Sequence, residues 1–244
     1  MVRRLAAVLD GPAGLVAAFV LALAYFLLAG DLPDLGDGDT ATLVAGIVGV
    51  GIIGGLVLSV VNAGDHVAPV VLLLFSSGIL VLAMDVSGAH ASVSPMEAVL
   101  AACVGILLGR ALAAPVVALA IPVFVAIIDA WSVANGPSSR LSGGHPRGAA
   151  ELTFDIPSWG GTPGASSRLG LVDAIFLAMF AVWAKRFNLR PVATAVGMVA
   201  GLLASVVLAV VLDRAVPALP LMAVGYWLPN LDRFAAMFRE PREG

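Results

Sequence analysis

Hydrophobic residues in this chain come in long blocks separated by short polar stretches, and the blocks have the length of membrane helices. A helix needs about twenty predominantly apolar residues to cross a bilayer. Eight runs approach or reach that length: residues 13–30, 40–61, 67–86, 95–113, 115–134, 169–187, 191–212 and 216–231. They predict an all-α integral membrane protein, a polytopic helical bundle of eight helices, and the soft boundaries of the third and fourth runs leave room for a ninth. The last run contains Pro217, Pro220 and Pro229, which a span tolerates only where neighbours or water satisfy the freed backbone groups. The pairs Gly51/Gly55 and Gly197/Gly201 have the spacing that lets helices approach closely. Met1-Val-Arg-Arg4 before an apolar run has the look of a signal peptide. However, the length of run 13–30 and the break at Asp10-Gly11-Pro12 favour an uncleaved first helix.

Composition agrees with the pattern. The chain is 60% hydrophobic and 12% charged, about half the charged share of an ordinary soluble domain, and its mean hydropathy is +1.04. A net charge of −3 provides no basic face for nucleic acid. The single cysteine, Cys103, sits in an apolar run and excludes a disulfide framework. One lysine, Lys185, against twelve arginines points to high-GC prokaryotic coding. With the N-terminus inside, the inner face collects Arg3, Arg4, Arg110, Lys185, Arg186, Arg190, Arg233, Arg239 and Arg242, and the outer face keeps Arg140, Arg147, Arg168 and Arg214. The positive-inside rule therefore expects a multi-pass cell-membrane protein with both termini cytoplasmic. The acidic stretch 31–39 and the one long loop, 135–168, then lie outside.

Only two acids lie well inside a run: Asp129, five residues from the outer end of its run, and Asp173, four residues into the next. At 1.5 Å of rise per residue both sit roughly 6–8 Å below the outer surface. Charge at membrane depth is costly and usually functional. Two carboxyls close together in a low dielectric share a proton and titrate as a unit. The ionised one can then take a proton from water while the protonated one polarises a carbonyl oxygen, which is the chemistry of an aspartyl hydrolase. A proton- or cation-coupled transporter accounts for the same pair equally well. Asp85 and Glu97 fall near run ends and Arg110 at a short inner turn. His66, His90 and His145 lie in loops without ligand spacing, so neither a metal nor any other cofactor is expected.

Three motifs separate these readings. Asp129-Ala-Trp-Ser-Val133, continued by Asn135-Gly-Pro137 and Arg140-Leu141, surrounds the first acid. Gly170-Leu-Val-Asp173-Ala-Ile-Phe176 surrounds the second, and Val216-Pro-Ala-Leu-Pro220 opens the last run. In this order they resemble the presenilin and signal peptide peptidase family of intramembrane aspartyl proteases, over residues 115 to 244. The resemblance implies that Asp129 and Asp173 are the catalytic pair. It also implies that Gly170, Leu171, Val172, Pro217, Ala218 and Leu219 shape the site and hold substrate. The substrates would be transmembrane segments of other proteins, in contact with lipid, and residues 1–114 a helical scaffold. The orientation matches signal peptide peptidases and inverts that of presenilins. Ile128 replaces the usual tyrosine, Val172 replaces the second glycine of Gly-x-Gly-Asp, and eight runs stand where the family has nine. A catalytically inactive helix-binding relative is a further alternative. Within the outer loop, Glu151-Leu-Thr-Phe-Asp-Ile156 alternates polar and apolar and predicts a strand, Leu152, Phe154 and Ile156 on one face. The family's use of induced strands implies that this strand pairs with an unwound substrate.

Overall fold

A computed structural model describes residues 11–88, 93–135, 153–161 and 167–237. Arg3, Arg4, His90, Gly136, Pro137, Arg140, Leu141, His145, Arg147, Glu151, Leu152, Arg239 and Arg242 lie outside the described residues. Nine helices and two strands follow in order among the described residues. They are α1 (Pro12–Leu28), α2 (Gly38–Ala63), α3 (Val67–Ser87), α4 (Val93–Ala111), α5 (Pro115–Asn135), β1 (Thr153–Ile156), β2 (Ser167–Gly170), α6 (Leu171–Arg186), α7 (Pro191–Leu212), α8 (Ala218–Trp227) and α9 (Leu231–Met237).

Local chemistry sets several boundaries. Asp37 caps α2, its carboxylate accepting from the Asp39 N–H and, at 2.8 Å, from the Thr40 hydroxyl. That pairing holds the Asp37 carboxyl below its ordinary range. Gly88, at φ 74, closes α3 in the left-handed conformation that glycine adopts without penalty. Proline opens α1, α5 and α7, where its missing N–H costs nothing.

Six helices, α1 to α5 and α7, are long and apolar enough to cross a membrane. The runs 169–187 and 216–231 give shorter helices, of 16 and 10 residues. The first is trimmed because Leu169 and Gly170 belong to a strand, where they pair with Phe154 and Thr153. The second is trimmed by proline: Pro217 stands as the N-cap, and a tight turn over Leu228–Asn230 carrying Pro229 separates α8 from α9.

The centre of the bundle is α6, which packs on α2, α4, α7 and α8. Its Leu177, Phe180 and Trp183 are buried completely or nearly so. Glycine permits the close approach of α4: a Cβ at Gly105 would collide with the Ile175 carbonyl, and one at Gly109 would stand 3.1 Å from the Met179 carbonyl. The Trp183 indole N–H then donates to the Gly109 carbonyl at 2.9 Å. Aromatic rings continue the core from Phe176 through Phe180 to Trp183, and from Phe180 to Tyr226 and Phe234. Gly197 and Gly201 behave as the spacing expects, meeting the α8 backbone at Gly225 and Leu221. Gly51 and Gly55 do not: a Cβ at either would meet nothing within 4 Å. The fully buried Asn230 fastens the far end of α8, donating to the Thr194 hydroxyl and the Tyr226 carbonyl, each at 2.7 Å, and accepting from the Arg190 N–H.

The expected strand forms over Thr153–Ile156 and finds a partner within the chain. It pairs antiparallel with β2, from Thr153 opposite Gly170 to Ile156 opposite Ser167. Phe154 and Ile156 are buried and Asp155 is exposed, as the alternation requires. Asp155 holds Arg168 across the ladder at 3.0 Å. Ile156 presses into α2 where Gly49 has no side chain. Beyond β1, the Trp159 indole N–H donates to the Pro33 carbonyl at 3.1 Å, tying the hairpin to the segment between α1 and α2.

Candidate active site

The two acids stand toward one end of the bundle, within electrostatic reach of one another, on different supports. Helix α5 lies at its margin, with only Ala118 and Pro122 buried among its described side chains. Ile127, Ile128 and Trp131 are exposed, Trp131 to 63%. The chief neighbour of α5 is α8 rather than the sequential α6. Consecutive antiparallel helices therefore do not lie side by side here, although their ends converge.

Asp129, partly buried, receives the start of α8. The Leu219 N–H donates to Asp129 Oδ2 at 3.0 Å, and the Ala218 N–H lies beside it. These are first-turn amides with no partner inside their own helix, so a carboxylate satisfies them and sits at the favourable end of the helix dipole. Pro217, at φ −65 and ψ 126, sets the turn that points them at Asp129. The Leu219 side chain is buried in the core, so at this position the backbone rather than the side chain faces the acid.

Asp173 is the third residue of α6, directly after β2. Its carboxylate folds back toward the chain that precedes it. A Cβ at Gly170 would lie 2.9 Å from Asp173 Oδ2, and the Gly170 N–H bonds to this carboxylate. Leu171 is half-buried against the core, whereas Val172 is 42% exposed next to the acid. Asp129 and Asp173 interact electrostatically with one another.

The structure thus brings Asp129, Asp173, Gly170, Ala218 and Leu219 into one site, with Pro217 shaping it. Val172 stands at the site's exposed side, and Leu171 contributes to packing. Sequence reading missed β2 and with it the role of Arg168 and Asp155, which lock the strand that delivers Asp173. Ser167-Arg-Leu-Gly170 is four residues without polar and apolar alternation, so it carries no strand signal next to an apolar run. Ile156 lodging against Gly49 leaves no mark in a single sequence. Among the described residues no group of three or more His, Cys, Asp and Glu could hold a metal ion.

Six membrane-length helices, of which α2, α4 and α7 pack on the short helix α6, define a polytopic helical membrane protein. Comparison with protein-family profiles, with curated proteins and with solved structures finds no match.

Proposed function

We propose that this protein is an intramembrane aspartyl protease of the presenilin and signal peptide peptidase kind, cleaving peptide bonds within transmembrane segments. The observation that carries the reading is the convergence of three motifs on one pair of carboxyls. Asp129 takes the amides of the Pro-Ala-Leu turn, and Asp173 rests on the first glycine of Gly-Leu-Val-Asp, within electrostatic reach of Asp129.

In this reading the pair carries one proton between its two carboxyls. The ionised carboxylate removes a proton from a water molecule as its oxygen attacks the scissile carbonyl. The protonated carboxyl gives a hydrogen bond to the carbonyl oxygen as it becomes an alkoxide. Collapse of the tetrahedral intermediate breaks the C–N bond, and a proton from the pair passes to the leaving nitrogen. No cofactor takes part. A substrate helix must unwind first, and the hairpin offers a strand edge next to Asp173 with which freed backbone groups can pair. α6 and α8 complete an eight-helix bundle in the cell membrane, both termini cytoplasmic. Residues 1–114 serve as scaffold, and residues 115–244 carry the site.

The test is incubation of purified protein with a panel of transmembrane peptides, with and without an aspartyl-protease transition-state inhibitor. Inhibitor-sensitive cleavage within the apolar segment supports the reading. Ion-coupled uptake in liposomes with no cleavage of any peptide would replace it with a transporter that uses the same acids.

A further inference from the structure

A cavity of about 860 Å³ opens between α2, α6 and α7, away from the two acids. Its floor is the bare backbone at Gly51 and Gly55, and its walls are Val196, Val199, Ala181 and Leu203. Asn62, Asp65 and Lys185 line it as well. All three lie where α2 and α6 end, the same end at which α7 begins. The cavity is therefore apolar along its length and charged at one mouth, the form taken by sites for amphipathic small molecules.

Its length narrows the choice. From Gly51 to Ala63 on α2, and again from Pro191 to Leu203 on α7, the walls run about 18 Å. Half the hydrocarbon thickness of a bilayer is about 15 Å. A groove of that depth, charged at one membrane face and ending near the midplane, suits the chains of a lipid from a single leaflet. A partner's membrane-spanning helix would run on through both leaflets.

The mouth specifies the headgroup. Lys185 donates to the Val61 carbonyl at 3.2 Å, which sets its ammonium at the top of the groove. An ammonium has three N–H donors and can hold a carbonyl and a phosphate oxygen together. Asp65, on the loop after α2, brings a carboxylate to the same opening. One cation and one anion at a single mouth complement a headgroup that carries both charges. We propose that this groove binds an amine-bearing zwitterionic phospholipid, its phosphate on Lys185, its primary ammonium on Asp65, and its acyl chains over Gly51 and Gly55.

The experiment is native mass spectrometry of the delipidated full chain in detergent, titrated separately with phosphatidylethanolamine, phosphatidylcholine and phosphatidylglycerol of identical acyl chains. The expected result is one phosphatidylethanolamine retained at activation energies that strip the other two. Lys185→Gln and Asp65→Asn should each lower its occupancy about tenfold at half-saturating lipid. Gly55→Leu, whose Cβ would meet nothing within 4 Å and whose branched end would occupy the groove, should do the same while the protein keeps its elution volume. Equal retention of the three lipids, parent-like retention in both charge variants, or a dimer in place of the lipid adduct would each overturn the proposal. The readout is binding, so it stands apart from whether the protein cleaves peptides.

Discussion

At position 170 a single methyl group separates two outcomes. A Cβ there would stand 2.9 Å from Asp173 Oδ2, so Gly170→Ala must push the carboxyl away or shift the backbone that delivers it. A displacement near 1 Å at reacting groups costs roughly a hundredfold in rate. Gly170→Ala should therefore lose about that much in kcat while the protein still inserts and elutes as the parent does, and near-parent turnover would count against the site. Asp129→Ala and Asp173→Ala should each abolish cleavage, since neither carboxyl can act as acid and base for the same bond. Substantial activity in either single variant would remove the dyad. Activity should peak at intermediate pH and fall on both sides, because both the doubly ionised and the doubly protonated pairs are idle. A flat profile from acid to alkaline pH would contradict this. Val172 is the exposed residue beside the acid. If the proposed function holds, Val172→Gly supplies the second glycine of the Gly-x-Gly-Asp pattern that this segment resembles, and should keep or raise turnover while widening the range of peptides cleaved. Complete loss in that variant would show that the valine is required.

Elements, more than residues, mark the boundary of what the sequence made legible. Every long helix was visible as an apolar run because twenty such residues have few other solutions in a bilayer, and run 191–212 matches α7 end to end. The short helices were blurred. Hydropathy cannot see that Leu169 and Gly170 hydrogen-bond as strand, nor that proline cuts run 216–231 after Trp227. The two acids were legible as cost: charge at depth demands a reason. Their supports were not, because the Leu219 amide and the Gly170 backbone are main-chain groups common to every sequence. The hairpin also makes its own prediction. With β1 paired on one side to β2, proline at Thr153 or Phe154 deletes an N–H, and the residue whose N–H points away from β2 can serve an incoming peptide. That proline variant should lose cleavage while alanine at the same position retains it. Equal rates for both proline variants and the parent would exclude strand pairing of substrate.

On the scale of the whole molecule, α6 is the hub and the helix ends are fastened by polar ties. Arg190 grips Asp232 with two nitrogens, at 2.8 and 2.7 Å, and also donates to the Pro229 carbonyl. Its guanidinium holds the Asp232 carboxyl below the ordinary range. A carboxyl whose folded value is depressed contributes stability in full above its unfolded value, about 4, and loses it as pH falls through the lowered one. Arg190→Gln should therefore flatten the decline of Tm on the acid side, by a small amount because the pair is exposed. A parent-like acid slope in that variant would mean the tie is idle.

The outward face of α5 has an optical consequence. Trp131 sits two residues beyond Asp129 and is open to its surroundings, whereas Trp183 is sealed in the core. In vesicles of brominated lipids, with bromine at a chosen carbon of the acyl chain, the emission of Trp131 should be quenched according to its depth. The signal is isolated by subtracting Trp131→Phe from the parent. Strongest quenching by bromine near the ester end would set the indole, and the neighbouring acid with it, just under one surface of the bilayer. Strongest quenching by bromine near the terminal methyl would move both to the midplane. A ruler for the depth of Asp129 is thus built into the chain two residues from the acid it measures.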